Sequence, residues 1–492
     1  MIKKQTDQPL LSNFKMPFQA KLNDGNRWVK LSAIIPWAEI CRPYEELFTS
    51  HTGRPAVPAR VAIGAMIIKH KLKLSDEETV ELIRENPYLQ YFIGFSSYQH
   101  EAPFVPSVFV EIRRRMNAQI FADLEQAIVD VVGGRNPGRI RKLRVDATVA
   151  PQEITYPTDQ KLLNKAREQC EAIIDELHLL TGAVQKPRTY RREARKEWLA
   201  YSKKRRCTGK DHRRATRAQL QYVRRDIGYI DRQLDVIYAR GQVAPYQVLR
   251  QLWIIRLLFA QQDEMYRGKL RKTPDRLVSL NQPYVRPVVR GKAGARVEFG
   301  AKLGVSVSED GLAFVDHLSW DAYNEAGDLP DQVRLYSRRY GAEPEVVLGD
   351  QIYGNRANRQ WLKEEEIRFG GQPLGRPLAD EKNRKERKKQ ARQDAIDRIP
   401  IEGKFGCAKR GYGLGLIRTR RSDTSEAWIR MVFFVLNLGV LSRSALFTLL
   451  RRLITGKYAA YCRLKIPLTF IAREIAAKYG LFAKNSLLGY AG

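Results

Sequence analysis

Cysteine is scarce in this chain. Its five residues (Cys41, Cys170, Cys207, Cys407 and Cys462) are scattered, odd in number and never arranged as CxxC. With no histidine beside them at zinc-ligand spacing, neither a disulfide framework nor a structural zinc site is expected. Histidine is also rare, six in 492 residues, and shows no ligand spacing of its own. The N-terminus MIKKQTDQPLLSNF lacks the apolar core of a signal peptide, and no stretch reads as long enough to span a membrane, so a cytoplasmic protein is expected. Acidic residues are in short supply as well: 54 against 86 lysines and arginines, a net charge of +32. That excess is far beyond what solubility requires and points to a polyanionic partner, nucleic acid first and an anionic membrane surface second.

A chain of this length exceeds one ordinary hydrophobic core, and its periodicity divides it. Residues 1–135 read as a helical domain. Pro58 starts a helix with Val61, Ala65, Ile68 and Leu72 on one face; Ser75 and Glu78 form a capping box, and Asn86-Pro87 ends that second helix. A further helix from Ser107 brings Arg113, Arg114 and Arg115 near the surface. Short helices with an arginine-rich member suit a helix-turn-helix-like DNA reader, and suit a helical domain with a solvated basic face equally well. Asn136 to Gly138 offers a turn, and Leu143 to Val149 then reads as a strand with Asp146 in its middle.

From Lys161 to Gly268 the period becomes helical. Val223, Ile227, Ile230, Leu234 and Ile237 repeat the spacing of a helix packed lengthwise on another. Its middle, Lys186 to Arg225, is densely basic with Tyr190, Trp198, Tyr201 and Tyr222 interleaved, which suits phosphate tracking with stacking, or else a solvated hairpin with aromatics in its core. Alternation returns at Val297 to Val307, and Glu309-Asp310-Gly311 turns the chain into Leu312 to Trp320 as a β-hairpin. A helix over Asp331 to Tyr340, the strand Val346 to Leu348, a helix over Asn355 to Glu365, a strand near Ile367, a basic linker from Glu381 to Arg392 and a helix over Arg398 to Lys409 follow. Without the helical insertion this is the order of an α/β ribonuclease H-like core. The expected division is 1–135 (helical, DNA-binding), 136–158 with 291–440 (catalytic), 159–290 (basic insertion) and 441–492 (helical C-terminal segment).

Two acids on adjacent strands and a third on a facing helix form a site for hard divalent cations beside a phosphodiester, and Asp146, Asp350 and Glu402 fit that pattern. Such a site needs no nucleophilic side chain. Each acid has a plainer alternative: an edge-strand acid for Asp146, a turn-starting aspartate for Asp350, and a first-turn glutamate for Glu402, since Pro400 is expected to begin that helix. Gly403 and Gly406 would permit close packing on the sheet. Glu364, Glu365 and Glu366 compete as third acid but read as a solvated helix end.

Arg398-x3-Glu402-x6-Lys409 resembles the Arg-Glu-Lys part of the signature of bacterial insertion-sequence DDE transposases. Asp146 in RVDATVAPQEITYPTD and Asp350 in VVLGDQIYGN are similar to that family's first and second acids, and Arg60 to Met116 resembles its N-terminal helical domain. In the family pattern a tyrosine precedes the arginine by three positions, where this chain has Ala395. The resemblance implies a DNA transposase with two Mg2+ (or Mn2+) ions held by Asp146, Asp350 and Glu402. It also implies binding to terminal inverted repeats and target DNA, and an active complex of at least two protomers. Such a protein is expected at the nucleoid, with no membrane partner.

Arg398 and Lys409 are assigned to DNA phosphates near the cut, Arg113, Arg114 and Arg115 to the N-terminal reader, and Arg191, Arg192, Arg195, Lys203, Lys204, Arg205 and Arg206 to the basic insertion. His317 could approach the site, though a hairpin histidine is more often structural. Trp198, Trp253 and Trp320 could stack on a base, with core packing favoured for Trp253. Two other functions share these features: a transposase-derived binding protein without chemistry, and a nuclease that cuts without joining.

Overall fold

The computed structural model describes residues 13–16, 21–49, 55–133, 141–289, 297–371 and 381–464. The turn expected at Asn136 to Gly138 and the chain beyond 464 lie outside them. Seven helices come first: α1 (Arg27–Ile34), α2 (Trp37–Glu45), α3 (Ala59–Leu72), α4 (Asp76–Glu85), α5 (Pro87–Phe92), α6 (Val108–Arg115) and α7 (Ala118–Gly133). The expected signals hold: Pro58 precedes α3, Ser75 and Glu78 close a capping box on α4, and the Asn86 side chain caps α5, whose first residue is Pro87. Helix α3 is more deeply placed than its one-faced pattern predicts, being buried on all sides from Ala59 to His70.

β1 (Lys142–Pro151) opens the sheet and leads into four helices, α8 (Asp159–Thr181), α9 (Arg191–Ser202), α10 (Gly209–Ala239) and α11 (Tyr246–Gly268). These have a core of their own, in which Leu162, Ala166, Cys170, Ile173 and Leu177 of α8 meet Val223, Ile230, Leu234 and Ile237 of α10. Trp253 is not in that core. On α11, Leu252, Ile254, Ile255 and Leu258 point inward and Trp253 is 61% exposed, because the helical period, not the apolar neighbours, decides the side.

β2 (Pro287–Val289), β3 (Val297–Ser308) and β4 (Ala313–Ser319) follow, then α12 (Leu329–Tyr340), β5 (Val346–Leu348), α13 (Arg356–Glu364), β6 (Arg368–Gly370), α14 (Glu381–Gly411) and α15 (Ser422–Leu464). β3 pairs with β1 antiparallel on one edge and with β4 and β2 antiparallel on the other. β5 lies parallel to β1, and β6 parallel to β5. Gly311 takes φ +86°, the left-handed conformation the hairpin turn demands.

Three expectations need correction here. The stretch Glu381 to Arg392 is not a linker, and Pro400 does not start a helix: both lie inside α14, with Pro400 in its interior. Tertiary pairs hold this polar helix. Arg368 of β6 grips Asp394 through two hydrogen bonds of 2.6 and 2.8 Å, and Lys142 of β1 pairs with Asp397 at 2.7 Å. The boundary expected at residue 440 falls within α15, which runs on to Leu464.

α15 joins the halves of the protein. Ile429, Val432, Phe433 and Leu436 pack against the sheet with Ile401 and Ala408 of α14, while Met431, Phe434, Val435 and Leu438 pack among the N-terminal helices. By length and composition Ser422–Arg443 could cross a membrane, contrary to the reading of the sequence, but 78% of its apolar window is buried inside the protein. Its apolarity is that of a helix covered on both sides.

Candidate active site

The site is built on one face of β1. Lys142, Arg144 and Asp146 alternate along the strand and so share a face, and all three meet α14. Lys142 pairs with Asp397, Arg144 donates to the carbonyl of Asp397 and, at 3.0 Å, to that of Ser308, and Asp146 faces Arg398 at 3.8 Å. Pro400 supplies no N–H to the preceding turn, and Arg144 braces that turn from the side. These contacts fix where α14 crosses the strand.

Asp350 arrives from β5. In the parallel register Leu143 is opposite Val347 and Arg144 opposite Leu348; β5 ends there, and Asp350 follows two residues beyond the end of the strand. Gly349 makes the approach possible, since a Cβ there would lie 3.1 Å from both Val145 and Tyr353. Asp350 is exposed and accepts a 2.7 Å hydrogen bond from the N–H of Gln351, which caps a short 3-10 turn. Its charge is felt at Asp146. Burial foremost, with Asp350 and Glu325 beside it, raises the Asp146 carboxyl above its ordinary value, against the Ala147 N–H and Arg398, which lower it.

Glu402 follows Arg398 by one turn, 60% exposed. The Arg398 guanidinium lies between the two acids, 3.8 Å from Asp146 and 3.3 Å from Glu402. No three carboxylates, histidines or cysteines among the described residues close on one point tightly enough to hold a metal ion. The donor set nevertheless fits a hard divalent cation: oxygen ligands only, two of them sharing a positive counter-charge, and a side open to solvent. Gly403 and Gly406 do not pack on the sheet as expected. A Cβ at Gly403 meets nothing within 4 Å, and one at Gly406 meets only the Arg410 guanidinium at 3.3 Å.

Reading the sequence missed a second group beside Asp146. Glu325 forms an ion pair with Lys302, which donates to the Tyr323 carbonyl at 2.8 Å, and Asp328 pairs with His317 at 2.7 Å. His317 thus serves Asp328 and stacks near Tyr323, not the three acids. Gly304 leaves room for this group, since a Cβ would come 2.7 Å from the Asp328 carboxylate. The sequence signal was faint: a run of acids between hairpin and helix, whose partners lie eleven positions away for Asp328 and twenty-three for Glu325.

The N-terminal cations also need correction. Arg113 is only 3% exposed, clamped to Asp76 by hydrogen bonds of 2.9 and 2.7 Å, so it has no face left for a phosphate. Arg114 and Arg115 are exposed; Arg114 pairs with Glu111 at 3.1 Å, and Arg115 lies over the Phe48 ring. In the insertion Arg191 is half-buried against Asp175 and Lys204 pairs with Asp211, whereas Arg192, Arg195, Lys203, Arg205 and Arg206 are exposed with no carboxylate partner among the described residues.

Two stretches match known families. Residues 16–115, which hold α1 to α6, match a transposase domain (DUF772), and residues 347–439, which hold Asp350 and Glu402, match a transposase DDE domain. The chain belongs to the insertion-sequence DDE transposases. The transposase is also 37% identical over 156 residues to a Rhizobium meliloti protein described as uncharacterized protein ORF8 in the nfe locus, a match covering 31% of this chain and 75% of that protein. No solved structure matches. Asp146 and the helical insertion lie outside both family-matched stretches.

Proposed function

We propose that this transposase cuts the ends of its element and joins them to target DNA at Asp146, Asp350 and Glu402. The observation that carries this reading is the Arg398 guanidinium, 3.8 Å from Asp146 and 3.3 Å from Glu402, with Asp350 near enough for its charge to bear on Asp146. The strand order β4-β3-β1-β5-β6, antiparallel for the first three and parallel for the last two, supports a ribonuclease H-like core.

The three carboxylates would hold Mg2+ or Mn2+, two ions per site, and the metal when bound would activate the attacking water or 3′-hydroxyl and stabilise the leaving oxygen. Arg398 is placed to leave its carboxylates and turn to a phosphate. Lys409, seven residues beyond Glu402, lies on the same helix face for the next phosphate along. Open space at Gly403 lets a duplex approach Glu402. Terminal inverted repeats are the DNA to be recognised, the exposed cations of the insertion and Arg114 and Arg115 add backbone affinity, and two or more protomers pair the ends.

Asp146→Asn or Asp350→Asn should abolish Mg2+-dependent cleavage of element-end DNA while leaving binding in EDTA unchanged, and Glu402→Gln should do the same. Cleavage retained by either aspartate variant would overturn the site. Strand-transfer products on a plasmid target separate a transposase from a nuclease that only cuts.

A further inference from the structure

α14 does not end at the catalytic face. After Lys409 and Arg410 it gives way to a loop that returns along β1 before α15 begins, and this loop is pinned, not loose. The Ile417 N–H donates to the Pro151 carbonyl at 2.8 Å, the Glu153 N–H donates to the Ile417 carbonyl at 2.8 Å, and Gln152 donates to the carbonyl of Thr419. The strand that carries Asp146 thus extends into the loop and fixes the side chains around Ile417. Ile417 is buried, and Arg418 and Arg420 on either side of Thr419 are exposed. No carboxylate among the described residues forms an ion pair with either arginine.

Arg418 and Arg420 line a cleft of about 650 Å3 between this loop and the N-terminal helices. Lys73 closes the opposite wall and is tied to the catalytic helix, its Nζ donating to the Arg410 carbonyl at 2.8 Å. Lys409 and Arg410 also line the cleft. Asp76 is the one acid on its wall among the described residues, and that carboxylate is matched by both Lys69 at 2.9 Å and Arg113 at 2.7 Å. The floor therefore carries a net positive charge beneath a rim of cations. His70, buried there with its imidazole pushed down to about 3, adds none.

We propose that this cleft is a track for the phosphate backbone of duplex DNA, leading from the catalytic face of α14 to the N-terminal helices. The inference rests on the transposase reading for its choice of polyanion and deepens it by naming the surface. Lys409 belongs to both ends of the track, on the Glu402 face of α14 and on the cleft wall. The same loop arginines also reach a second cleft of about 690 Å3 on the insertion side, beside Trp198, Lys161 and Lys165. That cleft carries Glu153 and Glu168 too, so the phosphates belong on the N-terminal side.

The test is Lys73→Gln/Arg418→Gln/Arg420→Gln in the full chain, with binding of a short fluorescein-labelled duplex of random sequence followed by anisotropy in EDTA over a salt series. The triple variant should lose at least about tenfold in affinity at moderate salt, with its log-log salt slope shallower by about 2 to 3, close to one counterion for each phosphate no longer neutralised. The charge-keeping triple Lys73→Arg/Arg418→Lys/Arg420→Lys should retain most of the affinity. Removing as many cations away from the cleft, in Lys21→Gln/Lys30→Gln/Lys363→Gln, should leave the slope within one unit of wild type. Unchanged affinity and slope in the first triple would overturn the track, as would an equal loss in the third or a loss of binding in the charge-keeping variant. None of these results bears on catalysis, which stands or falls separately on cleavage by Asp146→Asn.

Discussion

The N-terminal helices and the insertion are both helical and both basic, yet they handle charge in opposite ways. The N-terminal helices share one core with α15, and their cations are drawn into it: Arg60 is fully buried and donates to the Phe92 carbonyl, and Lys69 and Arg113 close on Asp76. The insertion has a core separate from the sheet, and most of its cations between residues 192 and 206 face solvent. A basic run on a helix therefore does not by itself mark a DNA surface. What matters is whether an acid from another helix has already claimed it.

The largest effect expected from this contrast is at Arg113. Arg113→Ala removes two charge-assisted hydrogen bonds from Asp76 and leaves that carboxylate to Lys69 alone, so it should lower global stability by about 3 kcal/mol. Arg195→Ala, on the exposed face of α9, should change stability by no more than about 0.5 kcal/mol. Urea unfolding of the two variants would break the comparison if they lost stability equally.

The insertion has its own buried charge. Asp226 on α10 is fully buried, neither carboxylate oxygen finds a hydrogen bond, and burial pushes its carboxyl up to about 7 despite the opposing charge of Arg225. A raised folded value means that its stabilising contribution is complete below the unfolded value near 4 and is lost as pH rises through about 7. Wild-type stability should fall across that window. Asp226→Asn should lessen the fall, to which buried Glu125, also pushed up to about 7, contributes as well, and be more stable at pH 8 by on the order of 2 to 4 kcal/mol, at about 1.4 kcal/mol for each pH unit separating the folded and unfolded values. Melting temperatures of both proteins across the window test it, and parallel pH profiles would refute it.

Legibility in the sequence followed local pattern. The hairpin of β3 and β4 could be read because Asp310-Gly311 and period-two alternation are local signals, and α4 because its capping box is. α14 reads as a linker followed by a short helix because its first half has no apolar residue but alanine and Pro400 looks like a start. What holds it is Arg368 on Asp394 and Lys142 on Asp397, pairs formed only once the sheet exists. Asp146 and Asp350 stood out as acids within or ending apolar strands, whereas Glu325 and Lys302 meet across more than twenty residues and gave no local sign. Arg113 looked like its neighbours because its partner Asp76 lies on another helix.

The smallest effect sharpens the contrast from the side of binding. Lys203, Arg205 and Arg206 are exposed in the turn between α9 and α10 with no carboxylate partner among the described residues, whereas Lys204 beside them already pairs with Asp211 at 2.7 Å, within the capping box that starts α10. Phosphate contacts made by such cations carry no sequence information. Replacing Lys203, Arg205 and Arg206 by alanine should weaken binding to every duplex by a similar factor and make the salt slope shallower by about 0.9 for each phosphate left without its cation, with the ratio of affinities for end and random duplexes unchanged. Lys204→Ala alone should do less to binding and more to the start of α10, because its charge is already engaged. Titration of end and random duplexes over a salt series separates the two. If the triple variant kept the wild-type slope, the exposed cations of the insertion would be solvated surface, and the preference for charge in this region would have to come from the cleft beside α14.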